Sequence, residues 1–152
     1  MLNEIKCTSL TVGNIDKTCF IAEKLTAKKS DSLESLLEMI ARNPELRKVY
    51  VVDDDGTLLG RVALKSIFRR LFPLTSLAIS AGKEMMARNG VVGDVMDTDC
   101  PKLNTASTIK EAVQIFINEN VRELPVVDGQ GRLEAVLPAK AIIVKYLQKQ
   151  CS

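Results

Sequence analysis

From residue 49 the chain runs Val49, Tyr50, Val51, Val52, then Asp53, Asp54, Asp55, Gly56, then an apolar-rich stretch over 57–63. Leu64, Ile67, Phe68 and Leu71 follow at i, i+3, i+4 and i+7. The first run is short and mainly β-branched, as in a buried strand. The acidic triplet closing in glycine is turn chemistry, with Gly56 free to take a positive φ, and the last spacing is the apolar stripe of a helix. The pattern predicts strand, turn, strand, helix, and it returns 75 residues on: Val51 falls on Val126, Val52 on Val127, Asp53 on Asp128, Gly56 on Gly131, Leu58 on Leu133, Lys65 on Lys140 and Ile67 on Ile142. Seven identities in nineteen positions at one offset make the chain a tandem repeat.

The repeats begin well before this stretch. Val12-Gly13-Asn14-Ile15 is echoed, at an offset of 80, by Val92-Gly93-Asp94-Val95. Residues 20–26 predict a short strand. Asp31 then opens a helix as its cap, with Glu34 three residues on returning the bond, and Leu33, Leu36, Leu37 and Ile40 form the apolar stripe until Asn43-Pro44 ends it. In the second copy Ser107 opens a helix with Ile109, Ala112, Val113 and Phe116, each displaced by 76. The change from 76 to 75 places one extra residue in the first copy's helix-to-strand loop, near Pro44. Pro138 is expected as the first residue of a last helix running through Ile142, Ile143, Tyr146 and Leu147.

Between the copies, residues 73–90 are too many for a structureless loop. Leu74, Leu77, Ala78, Ala81 and Met85 share one helical face, predicting a linking helix that ends near Asn89-Gly90 and whose face needs a partner, in the core or on a second chain. The expected organisation is a repeat over 10–72, the linking helix over 73–90 and a second repeat over 91–148. Each repeat, at roughly 60 residues, would be marginal alone, so the two are expected to pack together.

Hydrophobic content of 46% and charged content of 26% describe an ordinary globular chain, and a net charge of +2 gives no electrostatic case for nucleic acid or a membrane surface. No stretch approaches the ~20 apolar residues of a membrane span, and MLNEIKCTSL lacks the pattern of a signal peptide, which predicts a cytoplasmic protein. Cys7, Cys19, Cys100 and Cys151 form no CxxC pair, so reduced thiols are expected. The chain has no histidine, which excludes Ser-His-Asp and Cys-His catalysis and HExxH metal sites. No motif speaks for an enzyme. Asp53-Asp54-Asp55-Gly56 is read as a hairpin turn, since a calcium loop would need glycine at its sixth position and glutamate at its twelfth, where Leu64 stands.

A doubled β-α-β-β-α unit carrying Val51-Val52-Asp53 and Pro125-Val126-Val127-Asp128, each followed by a glycine and a leucine, resembles the CBS-domain pair, or Bateman module. Val12-Gly13-Asn14-Ile15, Val92-Gly93-Asp94-Val95-Met96 and Arg122-Glu123-Leu124-Pro125 carry the same resemblance, which covers about 10–148. It implies an α+β fold of two such units with pseudo-twofold symmetry, packed through their sheets with two clefts between them. It also implies a homodimer and regulation of an attached or partner protein, with no catalysis. Many members bind adenosine nucleotides, so AMP, ADP, ATP or S-adenosylmethionine are the ligands to expect. Tyr50-Val51-Val52-Asp53 with Leu59-Gly60-Arg61-Val62 is also similar to members that respond to divalent cations.

Members that bind adenosine carry a Ser or Thr facing phosphate and, three residues on, an Asp gripping the ribose. Here Ala63 and Pro138 replace the hydroxyls, and Ser66 and Ala141 stand where the aspartates would be. Hydrogen bonds to a charged group are worth about 1.5–3 kcal/mol each, so two lost at the ribose weaken binding by about a hundredfold or more. What remains for an anion is basic. Arg47 and Arg122 are repeat-equivalent, as are Lys65 and Lys140, and the lysines fall in the first turns of their helices, where an anion is welcome. Arg47, Lys65, Ser66, Arg122 and Lys140 are therefore the candidate ligand-binding residues, with no catalytic or metal site. The alternatives are a structural dimerisation or interaction module that has lost its ligand, or a module that responds to divalent cations. Cys100, just before Pro101, is a further candidate, as a redox sensor.

Overall fold

The structure is a computed structural model and describes residues 10–21, 24–46, 48–72 and 89–147. The chain forms two compact units. One is continuous, Leu25–Cys100; the other is discontinuous, joining Met1–Lys24 to Pro101–Ser152.

The continuous unit holds β1 (Thr26–Ala27), α1 (Leu33–Arg42), β2 (Lys48–Val52), β3 (Leu58–Ala63) and α2 (Leu64–Leu71). Its sheet has the order β1-β2-β3, with β1 parallel and β3 antiparallel to the central β2. The discontinuous unit repeats this with β4 (Leu103–Asn104), α3 (Ile109–Glu119), β5 (Glu123–Val127), β6 (Leu133–Pro138) and α4 (Lys140–Leu147), in the order β4-β5-β6. The chain is thus α+β, with the strand, turn, strand, helix pattern in both copies. Even the irregularity is copied: the antiparallel ladder shifts register between Val51 and Val52, and again between Val126 and Val127.

The hairpin turns explain two glycines. Gly56 sits at φ 88° and Gly131 at φ 81°, which other residues adopt only with strain. Asp53 anchors the first turn, its carboxylate accepting from the N–H groups of Asp55 at 3.0 Å and Thr57 at 2.8 Å. Asp128 anchors the second, accepting from Arg132 N–H at 3.0 Å and Gln130 N–H at 2.8 Å, with Arg132 Nε on its other oxygen. The Arg132 and Gln130 backbone donors hold the Asp128 carboxyl below the usual carboxylate range. A depressed folded-state pKa contributes stability above the ordinary carboxylate value, and that stability is lost as pH falls through the depressed one. Asp128→Asn is expected to flatten the acid limb of a stability-against-pH curve, measured by urea unfolding; an unchanged limb would show that another carboxylate governs it.

The core of the continuous unit is Ala27, Leu33, Leu36, Val49, Val51, Val62 and Ile67, closed by Val92 and Val95. That of the discontinuous unit is Leu103, Ile109, Ala112, Leu124, Val126, Leu137 and Ala141, closed by Val12 and Ile15. Each fully buried Val, Leu or Ile side chain contributes about 1.5–3 kcal/mol. The sequence copies and the compact units therefore divide the chain differently: the Val-Gly motif that opens each copy completes the unit made from the other copy's strands and helices.

Backbone hydrogen bonds account for this. In the discontinuous unit Val12 N–H donates to Ser107 O at 2.8 Å and Gly13 N–H to Thr105 O at 3.0 Å, while Leu10 O accepts from Ile109 N–H at 2.7 Å. In the continuous unit Val92 N–H donates to Asp31 O at 2.8 Å and Gly93 N–H to Lys29 O at 2.9 Å, while Gly90 O accepts from Leu33 N–H at 3.0 Å. Each motif thereby satisfies the first orphan N–H of a helix, that of α3 or α1.

Four local expectations are corrected. The cap of α1 is Ser32, which accepts from Ser35 N–H at 3.1 Å, and Asp31 instead accepts from Lys28 N–H at 2.9 Å. The cap of α3 is Thr108, in a reciprocal box with Glu111, and Ser107 instead accepts from Asn104 N–H at 3.0 Å. Both helices begin one residue later than expected because the preceding polar side chain folds back into the same turn. The short strand expected over 20–26 is Thr26–Ala27. Pro138 ends β6, paired with Glu123, and α4 starts at Lys140; β6 lies at the sheet edge, where a missing N–H is tolerated.

Candidate functional site

Among the described residues the N-termini of the four α-helices fall into two kinds. Those of α1 and α3 are closed: a hydroxyl caps each, a main-chain carbonyl takes the first N–H, and an acidic residue, Glu34 or Glu111, lies in the first turn. That of α2 is open. It follows directly from β3 with no intervening loop, so its cap position is Ala63, which makes no side-chain cap bond. Its first turn holds no acid and carries Lys65, which is exposed, and Ser66, which is half-buried. The N-terminus of α4 follows Ala139, has no acid in its first turn and carries the exposed Lys140. The positive end of the dipole and a lysine at each place make these ends attractive to an anion.

The sheet register adds a second cation at α4. Ala139 N–H donates to the carbonyl of Arg122 at 2.8 Å, one step beyond the Glu123–Pro138 pair, so the exposed Arg122 stands opposite the residue before Lys140. In the continuous unit the corresponding ladder reaches Lys48 opposite Ala63; Arg47 lies outside the described residues. Lys65 and Ser66 thus share one helix turn, and Arg122 is backbone-bonded to the residue before Lys140.

The two sites differ on the strand leading in. Arg61 of β3 is paired with Asp97 across an antiparallel bridge, Arg61 N–H donating to Asp97 O at 3.0 Å and Asp97 N–H to Arg61 O at 2.8 Å. Their side chains meet at 4.0 Å. The same position in β6 is Val136, whose carbonyl accepts from Ile21 N–H at 3.0 Å. Sequence reasoning did not select Arg61 or Asp97. The signal available was an arginine in an otherwise apolar strand, with valine at its repeat position.

Lys145 was also missed. The apolar spacing of α4 favoured Ile142, Ile143, Tyr146 and Leu147, yet Lys145 is buried with Ala141, and its ammonium donates to Asn14 O at 3.0 Å. Ile143, Tyr146 and Leu147 are exposed. The clue lay in the i, i+4 relation of Ala141 to Lys145, with Lys145 falling 75 residues after Arg70, which donates to Asn89 O.

The acidic hairpin is a turn held by Asp53. Asp54 forms an ion pair with Lys28, which lowers the carboxyl's pKa and raises that of the amine. Among the described residues no group of three His, Cys, Asp or Glu is placed to hold a metal ion, and no helix is long and apolar enough to cross a membrane. Cys100 is half-buried at the end of the continuous unit. The linking helix expected over 73–90 lies, up to residue 88, outside the described residues.

Comparison with known proteins gives a consistent result. The profile of the CBS domain matches this chain twice, over 18–73 and 92–147. The chain is 28% identical over 138 residues to the chloroplastic CBS domain-containing protein CBSX2 of Arabidopsis thaliana, covering 80% of this chain and 58% of that protein. It is 39% identical over 61 residues to homoserine O-acetyltransferase of Methanobrevibacter ruminantium, but that covers 40% of this chain and 12% of the enzyme. The chain therefore spans only part of the length of these relatives. Among solved structures, CBSX2 in complex with AMP is similar with a TM-score of 0.69 at 24% identity, covering 91% of this chain and 97% of that one. The cytosolic domain of the Mg2+ channel MgtE in complex with ATP has a TM-score of 0.66 at 18% identity, covering 93% and 52%.

Proposed function

This chain belongs to the CBS domain family, as a tandem pair, and from that premise we propose that it is a non-catalytic regulatory module sensing an anionic ligand, an adenosine nucleotide first of all. The observation carrying this is the contrast between the hydroxyl-capped N-termini of α1 and α3, each with an acid in its first turn, and those of α2 and α4, whose first turns hold no acid and carry Lys65 and Lys140. Phosphate is received by Lys65 and Ser66 at one site and by Arg122 and Lys140 at the other; Arg47, the repeat equivalent of Arg122 in sequence, is the further candidate. That CBSX2 was solved with AMP and the MgtE cytosolic domain with ATP supports the ligand class. The regulated protein is a separate partner or a further part of a longer chain.

Calorimetry with AMP, ADP, ATP, S-adenosylmethionine and Mg2+ tests the reading. Because Ser66 and Ala141 each replace a ribose-gripping acid, the expected affinity for a nucleotide is weak, about a hundredfold below that of a site that keeps its acid. Silence from every nucleotide at millimolar concentration would leave the module without a sensing role.

A second reading, a dimerisation scaffold, is favoured by the exposed apolar side chains of the same two helices. Phe68 on α2 is 57% exposed and Phe72, just past its end, 63%; on α4 Ile143 is 61% exposed and Leu147 71%. Exposed apolar surface of this kind marks an interface, and a second copy of the chain is the partner proposed. Phe68→Asp with Leu147→Asp is expected to convert a dimer to monomer in analytical ultracentrifugation without loss of helix signal. A dimer that survives both changes would move the interface elsewhere.

A further inference from the structure

We propose that Asn89 is a self-modifying site, its side-chain amide becoming a carboxyl through a cyclic imide formed with the Gly90 backbone nitrogen, and that the Arg70 guanidinium speeds this conversion. Asn89 is the only asparagine in the chain followed by glycine, and both residues are exposed. Glycine has no side chain to shield its nitrogen. The distinctive feature is Arg70 of α2, whose Nη2 donates to the Asn89 carbonyl at 3.0 Å. That carbonyl is conjugated with the Gly90 N–H through the peptide bond. A cation on the oxygen draws electron density from the nitrogen and stabilises the amidate that must form before attack. Asp94 is the opposing charge: a Cβ on Gly90 would lie 2.6 Å from Asp94 Oδ2 and 3.2 Å from Arg70 Nη2. That carboxylate oxygen, however, accepts from Val91 N–H at 2.9 Å.

The step balances without a redox partner. The Gly90 nitrogen gives its proton to a solvent base and attacks Asn89 Cγ; the bond from Cγ to the side-chain nitrogen breaks, and ammonia leaves. Water then opens the imide at either carbonyl, giving aspartate or isoaspartate. The isoaspartyl form passes the main chain through Cβ, one carbon longer. Gly90 O, held by Leu33 N–H at 3.0 Å, is the group displaced, so the first N–H of α1 loses its acceptor. The site thus ties a slow covalent change to the closed end of α1.

The test is ageing of the full chain in mildly alkaline buffer at body temperature, followed by peptide mapping with isoaspartyl methylation as the readout. The expected result is conversion at Asn89, faster in the folded chain than in the same chain held in urea, with faster hydrogen exchange at Leu33 afterwards. Arg70→Leu and Arg70→Gln are each expected to slow it roughly tenfold, the effect of one charge-assisted hydrogen bond on the barrier. Circular dichroism shows whether either variant remains folded, and Asn89→Gln serves as the unreactive control. Equal rates in wild type and a folded Arg70 variant, or slower conversion in the folded chain than in urea, would overturn the proposal.

Discussion

Gly60→Ala is expected to destabilise the continuous unit by about 2–3 kcal/mol, the upper range for inserting a methyl into a closely packed site. A Cβ at Gly60 would stand 2.5 Å from Asp97 O and 2.9 Å from Met96 Cε. The first of these is main chain and is held in place by the reciprocal Arg61–Asp97 hydrogen bonds, so relief requires breaking that bridge. The repeat position in the other unit is Ala135, where one hydrogen bond, from Ile21 to Val136, replaces two, and a methyl is accommodated. Ala135→Gly should therefore cost only about 0.5–1 kcal/mol, the conformational-entropy difference of glycine in a strand. Urea unfolding of both variants checks the pair. Similar losses would mean that the close approach of Asp97 does not constrain β3.

Lys65→Glu and Lys140→Glu are expected to lower nucleotide affinity by at least tenfold each, and together to abolish it at millimolar concentrations. A charge-assisted hydrogen bond is worth about 1.5–3 kcal/mol, tenfold to about a hundredfold in Kd, and a carboxylate at the same place adds repulsion. Both lysines are exposed, so the fold should be unaffected. Lys110→Glu, an exposed lysine in the first turn of the closed helix α3, is the matched control and should leave affinity unchanged. Ser66→Asp should act in the opposite direction for adenosine ligands by restoring an acid for the ribose. Equal losses in Lys65→Glu and Lys110→Glu would reduce the effect to net charge. A Ser66→Asp variant no tighter than wild type would show that the ribose is not held there.

Much of this molecule was legible before its coordinates. The run Val49 to Val52, the glycines at 56 and 131 and the spacing of Leu33, Leu36 and Ile40 specify elements by local periodicity and turn chemistry, which need no knowledge of neighbours. The helix caps were displaced by one residue because Asp31 and Ser107, both competent caps, have backbone donors nearer at hand. Pro138 was misplaced because a proline suits the start of a helix and the end of an edge strand equally well. The candidate site was half legible: repeat-equivalent lysines at two helix starts stood out, but the register that brings Arg122 opposite Ala139, and the Arg61–Asp97 bridge, join residues whose spacing carries no signal.

By itself the sequence determined that two like α+β units exist, the order of their strands, turns and helices to within a residue or two at the ends, and that each core draws on the same positions, because periodicity and turn geometry act over a few residues at a time. The tertiary structure alone decided which opening motif completes which unit, which helix ends are left open, and that Phe68 and Leu147 face outward while Lys145 is buried. The first of those outcomes turns on backbone donors and acceptors finding partners 57 to 99 positions away. A stripe on a helix fixes that it has a face, but not what that face meets.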